Sequence, residues 1–192
     1  MVSPPIPDDI ARQAVDSLAG YAYQLYQTLS AWLALGPDEF LFVEVAEDYA
    51  VATTDRLTAT QVKATAANIT LRTSSVIDAI NAFWKLKAKN PGQGVSYRYW
   101  TTSEVGKEQG LLFPDGKSGL VYWREAARVG SDVKPIKDAL LALGISCELK
   151  DFCQRRLESD PVWRAPAMTI ARLNGVKSAP PPKNLFWLLR IS

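Results

Sequence analysis

The chain has 192 residues, 47% of them hydrophobic, and a formal net charge of +2, which is the range of a globular protein with a single domain. A charge this small excludes the global basic field of a DNA-packaging protein, so any nucleic-acid binding must depend on a local patch. No apolar run reaches the ~18–20 residues of a membrane span, and the N-terminus lacks the basic start and apolar core of a signal peptide. We therefore expect a cytoplasmic protein with no membrane partner.

The sequence contains no histidine and only two cysteines. This excludes Ser-His-Asp and Cys-His triads, HEXXH zinc sites and ββα-metal nucleases, and it nearly excludes zinc. Cys147 and Cys153 lie six residues apart in a helical pattern, so we expect two free thiols in a reducing compartment. Any catalysis must use carboxylates, Lys, Gln, Ser, Thr or Tyr, most naturally with oxygen-ligated Mg²⁺ or Mn²⁺.

The first half of the chain predicts the order helix, three strands, helix, strand. A proline-rich lead-in precedes Asp8 and Asp9, either of which can cap a long helix that ends at Gly36-Pro37. The helix carries an apolar stripe expected to face the core, made of Val15, Leu18, Ala22, Leu25, Leu29 and Leu33. Strands are predicted at 39–45, 47–54, 57–66 and 95–103, and a second helix from Thr73 or Ser74 to about Lys89.

After residue 110 the pattern becomes helical. The segment from Lys177 to Asn184 is a proline-rich break, and the apolar end LFWLLRIS could pack back as a strand or contact a partner. Helices are predicted at about 117–129, 132–143 and 146–158, with a further piece around 162–174. We therefore expect an α/β protein with a core at 1–110, a helical extension packed on it at 111–176, and a break with an apolar tail at 177–192.

A polar cluster is predicted where the second and third strands meet. If Thr54-Asp55 form a two-residue loop, the numbers of cross-strand partners sum to 109, and Asp48 lies opposite Gln61. A loop longer by two residues would place Asp48 opposite Lys63 instead. Alternation along the strand puts Gln61 and Lys63 on one face. A carboxylate, an amide oxygen and an ammonium would then converge, which is a plausible site for a divalent cation and an activated water.

These residue types match what phosphodiester hydrolysis at a metal requires, namely a carboxylate, a second oxygen and a cation. Asp48 would hold the metal, Gln61 would add a weaker amide ligand, and the carbonyl of Val62 could add another. Lys63 would stabilise the developing charge. Glu44 reaches this site only if the chain bends before Asp48. The plain alternative is an ordinary ion pair between Asp48 and Lys63, with Gln61 as polar filler.

Four short motifs, in order, resemble those of the PD-(D/E)xK restriction-endonuclease-like superfamily. They are similar in particular to nuclease effector domains of bacterial anti-phage systems, namely CD-NTase-associated endonucleases fused to SAVED sensors and domains that head STAND NTPases. The resemblance covers roughly residues 15–110, and no recognisable sensor or NTPase follows. The motifs are Gly20-Tyr21-Ala22-Tyr23-Gln24, Glu44-Val45-Ala46-Glu47-Asp48, Gln61-Val62-Lys63 and Tyr99-Trp100-Thr101-Thr102-Ser103.

The resemblance implies a restriction-endonuclease-like core with a mixed sheet and a C-terminal helical extension. It implies a Mg²⁺-dependent (or Mn²⁺-dependent) endonuclease that cleaves double-stranded DNA with little sequence specificity, activated when a partner or fused sensor drives formation of a homo-oligomer. By position, Asp48 would bind metal, Gln61 would be the middle ligand, Lys63 would be the catalytic lysine, and Gln24 would replace a helix Glu of some relatives. The alternative is a catalytically weak assembly or nucleic-acid-binding module.

Two sets of residues have a plain interpretation beside the functional one. Gly20 would mark a close helix–sheet contact, and Gln24 would be a solvated side chain. Lysines in the last turns of the second helix are expected from the helix dipole alone, although they could also contact phosphate. The candidates for DNA contact, each of which could equally be solvated surface, are Lys85, Lys87, Lys89, Arg98, Lys107, Arg124 and Arg128.

Overall fold

A computed structural model describes residues 9–110, 113–129, 132–155 and 168–172. Within these ranges the class is α/β, and the expected order helix, three strands, helix, strand is confirmed. Both cysteines are free, as expected. The elements are α1 (Asp9–Leu33), β1 (Phe40–Val43), β2 (Tyr49–Ala52), β3 (Arg56–Lys63), α2 (Ser74–Lys89), β4 (Gly94–Thr101), a 3₁₀ turn (Pro114–Gly116), α3 (Gly119–Val129), α4 (Lys134–Leu141), α5 (Cys147–Arg155) and β5 (Met168–Arg172).

The strands form one mixed sheet in the order β1-β2-β3-β4-β5. β1, β2 and β3 pair antiparallel through short connections. β3, β4 and β5 pair parallel, and the chain between β3 and β4 crosses over through α2, as a parallel pair requires. The end of β3 therefore lies in the middle of the sheet, between an antiparallel and a parallel neighbour.

The turn between β2 and β3 fixes their register. The backbone N–H of Thr53 donates to the carbonyl of Arg56 at 2.8 Å, which closes a two-residue loop. Tyr49 accordingly pairs with Thr60, and Ala52 with Leu57. The first of the two predicted registers is confirmed, with pairs that sum to 109.

The helical piece predicted at 162–174 is wrong for residues 168–172, which form β5 parallel to β4. Five residues with Thr169 and Ile170 at the centre suit a strand, and the open edge of β4 supplies hydrogen-bond partners that local sequence cannot reveal. The predicted extension at 111–176 is therefore not wholly helical. The break and apolar tail at 177–192 lie outside the described residues.

The strands predicted at 39–45 and 47–54 are shorter than expected, because residues 44–48 form a loop. Two residues in this loop have positive φ, Glu44 at 57° and Glu47 at 99°. The N–H of Glu44 donates to the carbonyl of Asp48 at 3.2 Å, which closes the loop. The chain therefore bends before Asp48, as the prediction for Glu44 required.

Helices cover both faces of the sheet. The larger core lies on one face, where Ala59, Tyr97 and Tyr99 pack with Ile80 and Phe83 of α2 and with buried residues of α3, α4 and α5. A smaller cluster lies on the other face, where Tyr23 of α1 packs with Tyr49 and Val62. Because Ala59 and Val62 belong to different clusters, the predicted alternation along β3 is confirmed.

The stripe predicted to bury α1 is wrong. Leu18, Leu25, Leu29 and Leu33 are exposed, and the face that meets the sheet carries Tyr23 and Gln27. The apolar residues do follow a helical period, but the helix presents its more polar face to the small cluster on the sheet. No described helix is long and apolar enough to cross a membrane.

A buried carboxylate, that of Glu108, links the loop after β4 to two other segments. Its Oε1 accepts from the N–H of Leu71 at 3.0 Å, and its Oε2 accepts from the N–H of Gly119 at 2.7 Å. Gly119 is the first residue of α3, so a negative group there satisfies a free helix N–H and suits the dipole. The Glu108 side chain thus fixes the position of α3 against the core.

We expect Glu108→Ala to lower the free energy of unfolding by about 2–4 kcal/mol, because two buried N–H groups lose their acceptor. Chemical denaturation followed by circular dichroism measures this. Gln109→Ala, at the exposed neighbour, is the matched control and should change stability by less than about 0.5 kcal/mol. Equal effects for the two variants would contradict the assignment.

Candidate active site

The carboxylate of Asp48 joins the start of β2 to the end of β3 and to α1. Its Oδ2 accepts from the backbone N–H of Val62 at 2.6 Å. Its Oδ1 accepts from Nε2 of Gln24 at 3.0 Å. Three residues predicted at the site are therefore in direct contact, and the plain interpretation of Gln24 as a solvated side chain is wrong.

The same contact shows which way the backbone of Val62 points. A strand residue directs its N–H and its C=O to the same edge of the strand. The carbonyl of Val62 therefore points to the edge of β3 that faces β2, where Asp48 lies. The last pair that β2 and β3 form before this point is Tyr49–Thr60. This is the carbonyl that the sequence singled out as a possible ligand.

Gln61 and Lys63 have a different acidic neighbour, Glu47. The hydroxyl of Tyr97 lies within hydrogen-bonding reach of Oε1 of Gln61, at 3.5 Å, and of the Glu47 carboxylate. Lys63 is the positive charge that acts on Glu47. The side chains of β3 that face the α2 side of the sheet are thus grouped around Glu47, whereas Asp48 is held by α1.

The ionisation of Glu47 reflects this position. Burial raises the pKa of its carboxyl above the ordinary range, and the negative charge of Asp48 raises the pKa further. The Tyr97 hydroxyl and the ammonium of Lys63 oppose this shift of the pKa. Burial and the nearby carboxylates in turn raise the pKa of Tyr97, so that its hydroxyl stays protonated as a donor.

The backbone at Glu47 is strained. A φ of 99° is a conformation that residues with a side chain rarely adopt, and it costs on the order of 1–3 kcal/mol. The strain is maintained by the loop closure and by the bonds of Asp48. Its effect is to exchange the two sides that an extended strand would give, so that Glu47 lies on the α2 side of the sheet and Asp48 on the α1 side.

A groove of about 500 Å³ opens next to Glu47, between the sheet and α2. Glu47 and Tyr97 line it from the sheet, and Lys85 and Lys89 line it from α2. Two lysines that the sequence proposed for DNA contact thus share a groove with the acidic residue of the site. The remaining walls are largely apolar, with Phe42, Val45, Ala50, Leu57 and Leu86 among them.

The other predicted contact residues do not line this groove. Lys87 is half-buried on α2, and Arg98 is exposed on β4 at a position that alternates with the buried Tyr97 and Tyr99. Lys107 lies in the loop after β4, and Arg124 is exposed on α3. The side chain of Arg128 lies outside the described residues.

Glu44 is exposed at the far end of the loop, and only its backbone has a described hydrogen bond at the site, to Asp48. A Cβ at Gly20 would meet no atom within 4 Å, so the close helix–sheet contact proposed for that glycine is wrong. Neither residue contributes a described side-chain contact to the cluster around β3.

Sequence reasoning missed Glu47 and Tyr97. In an extended strand Glu47 and Asp48 point to opposite faces. The register of β2 and β3 would then place Asp48 opposite Gln61 and on the same face. The positive φ at Glu47 reverses that result. Tyr97 carried a usable signal, since it lies two residues before the aromatic motif at Tyr99 and on the same face of β4.

Oxygen donors of the kind that Mg²⁺ and Mn²⁺ prefer surround the end of β3. They are the carboxylates of Glu47 and Asp48, the amide oxygen of Gln61 and the carbonyl of Val62. A cation bound here would relieve the repulsion between the carboxylates of Glu47 and Asp48. Among the described residues, no three Asp, Glu, His or Cys side chains group to hold a metal. A cation here would therefore depend on neutral oxygens.

We expect Glu47→Gln to raise the free energy of unfolding at neutral pH, because the ionised carboxylate is disfavoured in the folded state. A carboxyl with a raised pKa stabilises the fold only while it is protonated. The gain should therefore shrink as the pH falls and vanish below about 4.3, the ordinary pKa of Glu. Urea denaturation between pH 4 and 8 tests this, with Gln109→Ala as the control. A gain that did not depend on pH would contradict it.

Comparison with known proteins adds no template for this arrangement. No family model, curated protein or solved structure matches the chain. The roles of the site residues must therefore be argued from their contacts, and the resemblance of the four motifs to restriction-endonuclease-like nucleases stays a prediction.

Proposed function

We propose that this protein is a metal-dependent DNA endonuclease with a restriction-endonuclease-like core. The observation that carries the proposal is the groove that Glu47, on which the charge of Lys63 acts, shares with Lys85 and Lys89 of α2. A carboxylate next to an ammonium supports the chemistry, and a pair of lysines supports binding of a phosphate backbone.

The charges on the groove bear on specificity. Lysines bind phosphate as point charges and do not read base edges, so we expect little sequence specificity, while double-stranded DNA as the substrate is supported by the resemblance of the four motifs. The net charge of +2 gives no general attraction to nucleic acid, and binding would therefore depend on Lys85 and Lys89.

The chain's own residues supply two requirements of phosphodiester hydrolysis. Attack of water on phosphorus builds negative charge on the phosphate oxygens, and the ammonium of Lys63 would stabilise that charge. The Tyr97 hydroxyl, which is also within reach of Gln61, orients Glu47, and the bonds from Gln24 and Val62 orient Asp48. A bound Mg²⁺ would polarise the phosphate and lower the pKa of a water, held by Glu47, Asp48, Gln61 and the carbonyl of Val62.

A role as an anti-phage effector, switched on by a partner or fused sensor, belongs to the same proposal. It is supported by the resemblance of the four motifs to nuclease effector domains. The alternative function, a nuclease-like module that binds nucleic acid without cleaving it, is favoured by one observation. Both carboxylate oxygens of Asp48 already accept hydrogen bonds from protein groups.

We expect the protein to nick or linearise supercoiled plasmid with Mg²⁺ and not with EDTA. Lys63→Ala and Glu47→Gln should each lower the rate on the order of 10²–10³-fold, because each removes a charged group at the reacting phosphate or at the metal. Lys134→Ala, on the exposed surface of α4, should not change the rate. Circular dichroism would show that all variants fold.

Undiminished cleavage by Lys63→Ala would contradict the assignment of the site. Absence of cleavage by the wild type with Mg²⁺ or Mn²⁺, while the plasmid is still bound, would favour the binding module.

We expect the double variant Lys85→Ala, Lys89→Ala to bind duplex DNA more weakly and with a smaller dependence on salt. Each lost phosphate contact should reduce the slope of log K against log salt concentration by about 1, so the double variant should lose about 2. Fluorescence anisotropy with a labelled duplex between 50 and 200 mM salt measures this. The matched control is Lys134→Ala with Lys150→Ala, neither of which lines the groove. An equal slope for both double variants would exclude the groove as the DNA site.

A further inference from the structure

The outer face of α1 is apolar and uncovered in the described part of the chain. Five of its side chains form one stripe on the side of the helix opposite Tyr23 and Gln27, which are buried against the sheet. Two more apolar side chains, Tyr26 and Leu33, flank it. The stripe consists of Leu18, Tyr21, Leu25, Leu29 and Trp32, and these seven side chains have exposed fractions between 38% and 68%.

The composition of α1 indicates that this face is covered in solution. No charged residue occurs from Ser17 to Pro37, whereas a helix with one face in water normally carries charged side chains there. A helix that lies on a lipid surface carries Lys or Arg on its polar face, and α1 has neither in this stretch. The stripe therefore fits a second apolar protein surface better than a lipid surface.

The size of the stripe fits an interface. The five side chains of the stripe and the two that flank it, about half exposed and of ~200 Å² each, together offer on the order of 700 Å² of surface. A stable interface buries about 800 Å² on each partner. The stripe is thus large enough to supply most of one interface.

The spacing of the stripe is self-complementary. Its residues are separated by 3, 4, 4 and 3 positions, so the pattern is unchanged when the helix is reversed about Leu25. If two copies of α1 pack antiparallel, Leu25 faces its own copy, Tyr21 faces Leu29, and Leu18 faces Trp32. Each aromatic side chain then meets a leucine. A surface that pairs with itself in this way is what a two-fold dimer requires.

We infer that two copies of this chain associate through their α1 helices, packed antiparallel with Leu25 on the two-fold axis. The contact extends about 21 Å, from Leu18 to Trp32 at 1.5 Å per residue. This inference is independent of the proposed nuclease function, because it uses only the face of α1 that points away from the sheet.

Sedimentation velocity on the full chain tests the inference at concentrations from 1 to 100 μM, which are ordinary for this method. We expect a dimer for the wild type and monomers for Leu25→Glu and Leu25→Lys, whose dissociation constants should rise more than about a hundredfold from like-charge contact. Because residue 25 faces itself, a mixture of the two variants should form dimers again. The matched control is Val45→Glu, which places the same charge on an exposed apolar residue outside α1 and should remain dimeric.

Cysteine cross-linking in a Cys147→Ser background tests the antiparallel arrangement. Leu25→Cys should oxidise to a covalent dimer by itself. Leu18→Cys should do so only when mixed with Trp32→Cys.

Three results would overturn the inference. In the first, the wild type is a monomer over the whole concentration range. In the second, the Leu25→Glu variant is still a dimer. In the third, the protein is a monomer and the thiol of Leu25→Cys is protected from alkylation. The third would assign the stripe to an occupant from the same chain, such as the apolar residues 185–192, and truncation of those residues would then expose the thiol. Circular dichroism of each variant keeps loss of folding separate from loss of association.

Discussion

The hydrogen bond from the N–H of Val62 to the carboxylate of Asp48 is the contact on which the arrangement of the site depends. Beyond Thr60, β3 has no paired residue of β2 on that edge, and an unpaired backbone N–H there would be costly if it were buried. The side chain of Asp48 supplies the missing acceptor at 2.6 Å. Its second oxygen reaches Gln24 of α1, so one carboxylate connects the loop 44–48, the centre of the sheet and the first helix.

Fixing Asp48 in this way determines what Glu47 can do. The loop must close in five residues between β1 and β2, and it does so with a positive φ at Glu47. The side chain is directed to the α2 side of the sheet, where burial raises its pKa and Lys63 and Tyr97 oppose that shift. Two adjacent acids therefore differ in environment. Asp48 accepts hydrogen bonds from α1 and β3, and Glu47 is a half-buried carboxylate that lines a groove.

α1 has a part in both proposals. Gln24 contacts Asp48 from one side of the helix, and Leu25, the next residue, lies at the centre of the exposed stripe on the other side. A rotation or shift of α1 would move both groups together, since they share one rigid helix. If copies associate through this face, the packing of the helix and the position of Asp48 are physically coupled, which gives association a direct route to the candidate site.

The sequence alone determined the order of the elements from α1 to β4 and the pairing of β2 with β3. The turn at Thr54-Asp55 fixed the register of β2 and β3, and the alternation of side chains placed Gln61 and Val62 on different faces, because both depend on local geometry. The motif residues Gln24, Asp48 and Val62 were correctly expected near one another. The tertiary structure decided which acid accompanies Gln61 and Lys63, because the loop 44–48, with positive φ at Glu44 and Glu47, reverses the direction that an extended strand would give.

Tertiary contacts also decided the environment of two elements whose local signals pointed elsewhere. The leucine stripe of α1 indicated burial, but the sheet offered a small cluster that accepted Tyr23 and Gln27 instead. Residues 168–172 lie in a segment predicted as helical, but they pair as a strand with the open edge of β4. A sequence pattern states which residues prefer to be covered or paired, whereas the surface that covers or pairs them comes from residues far away in the chain.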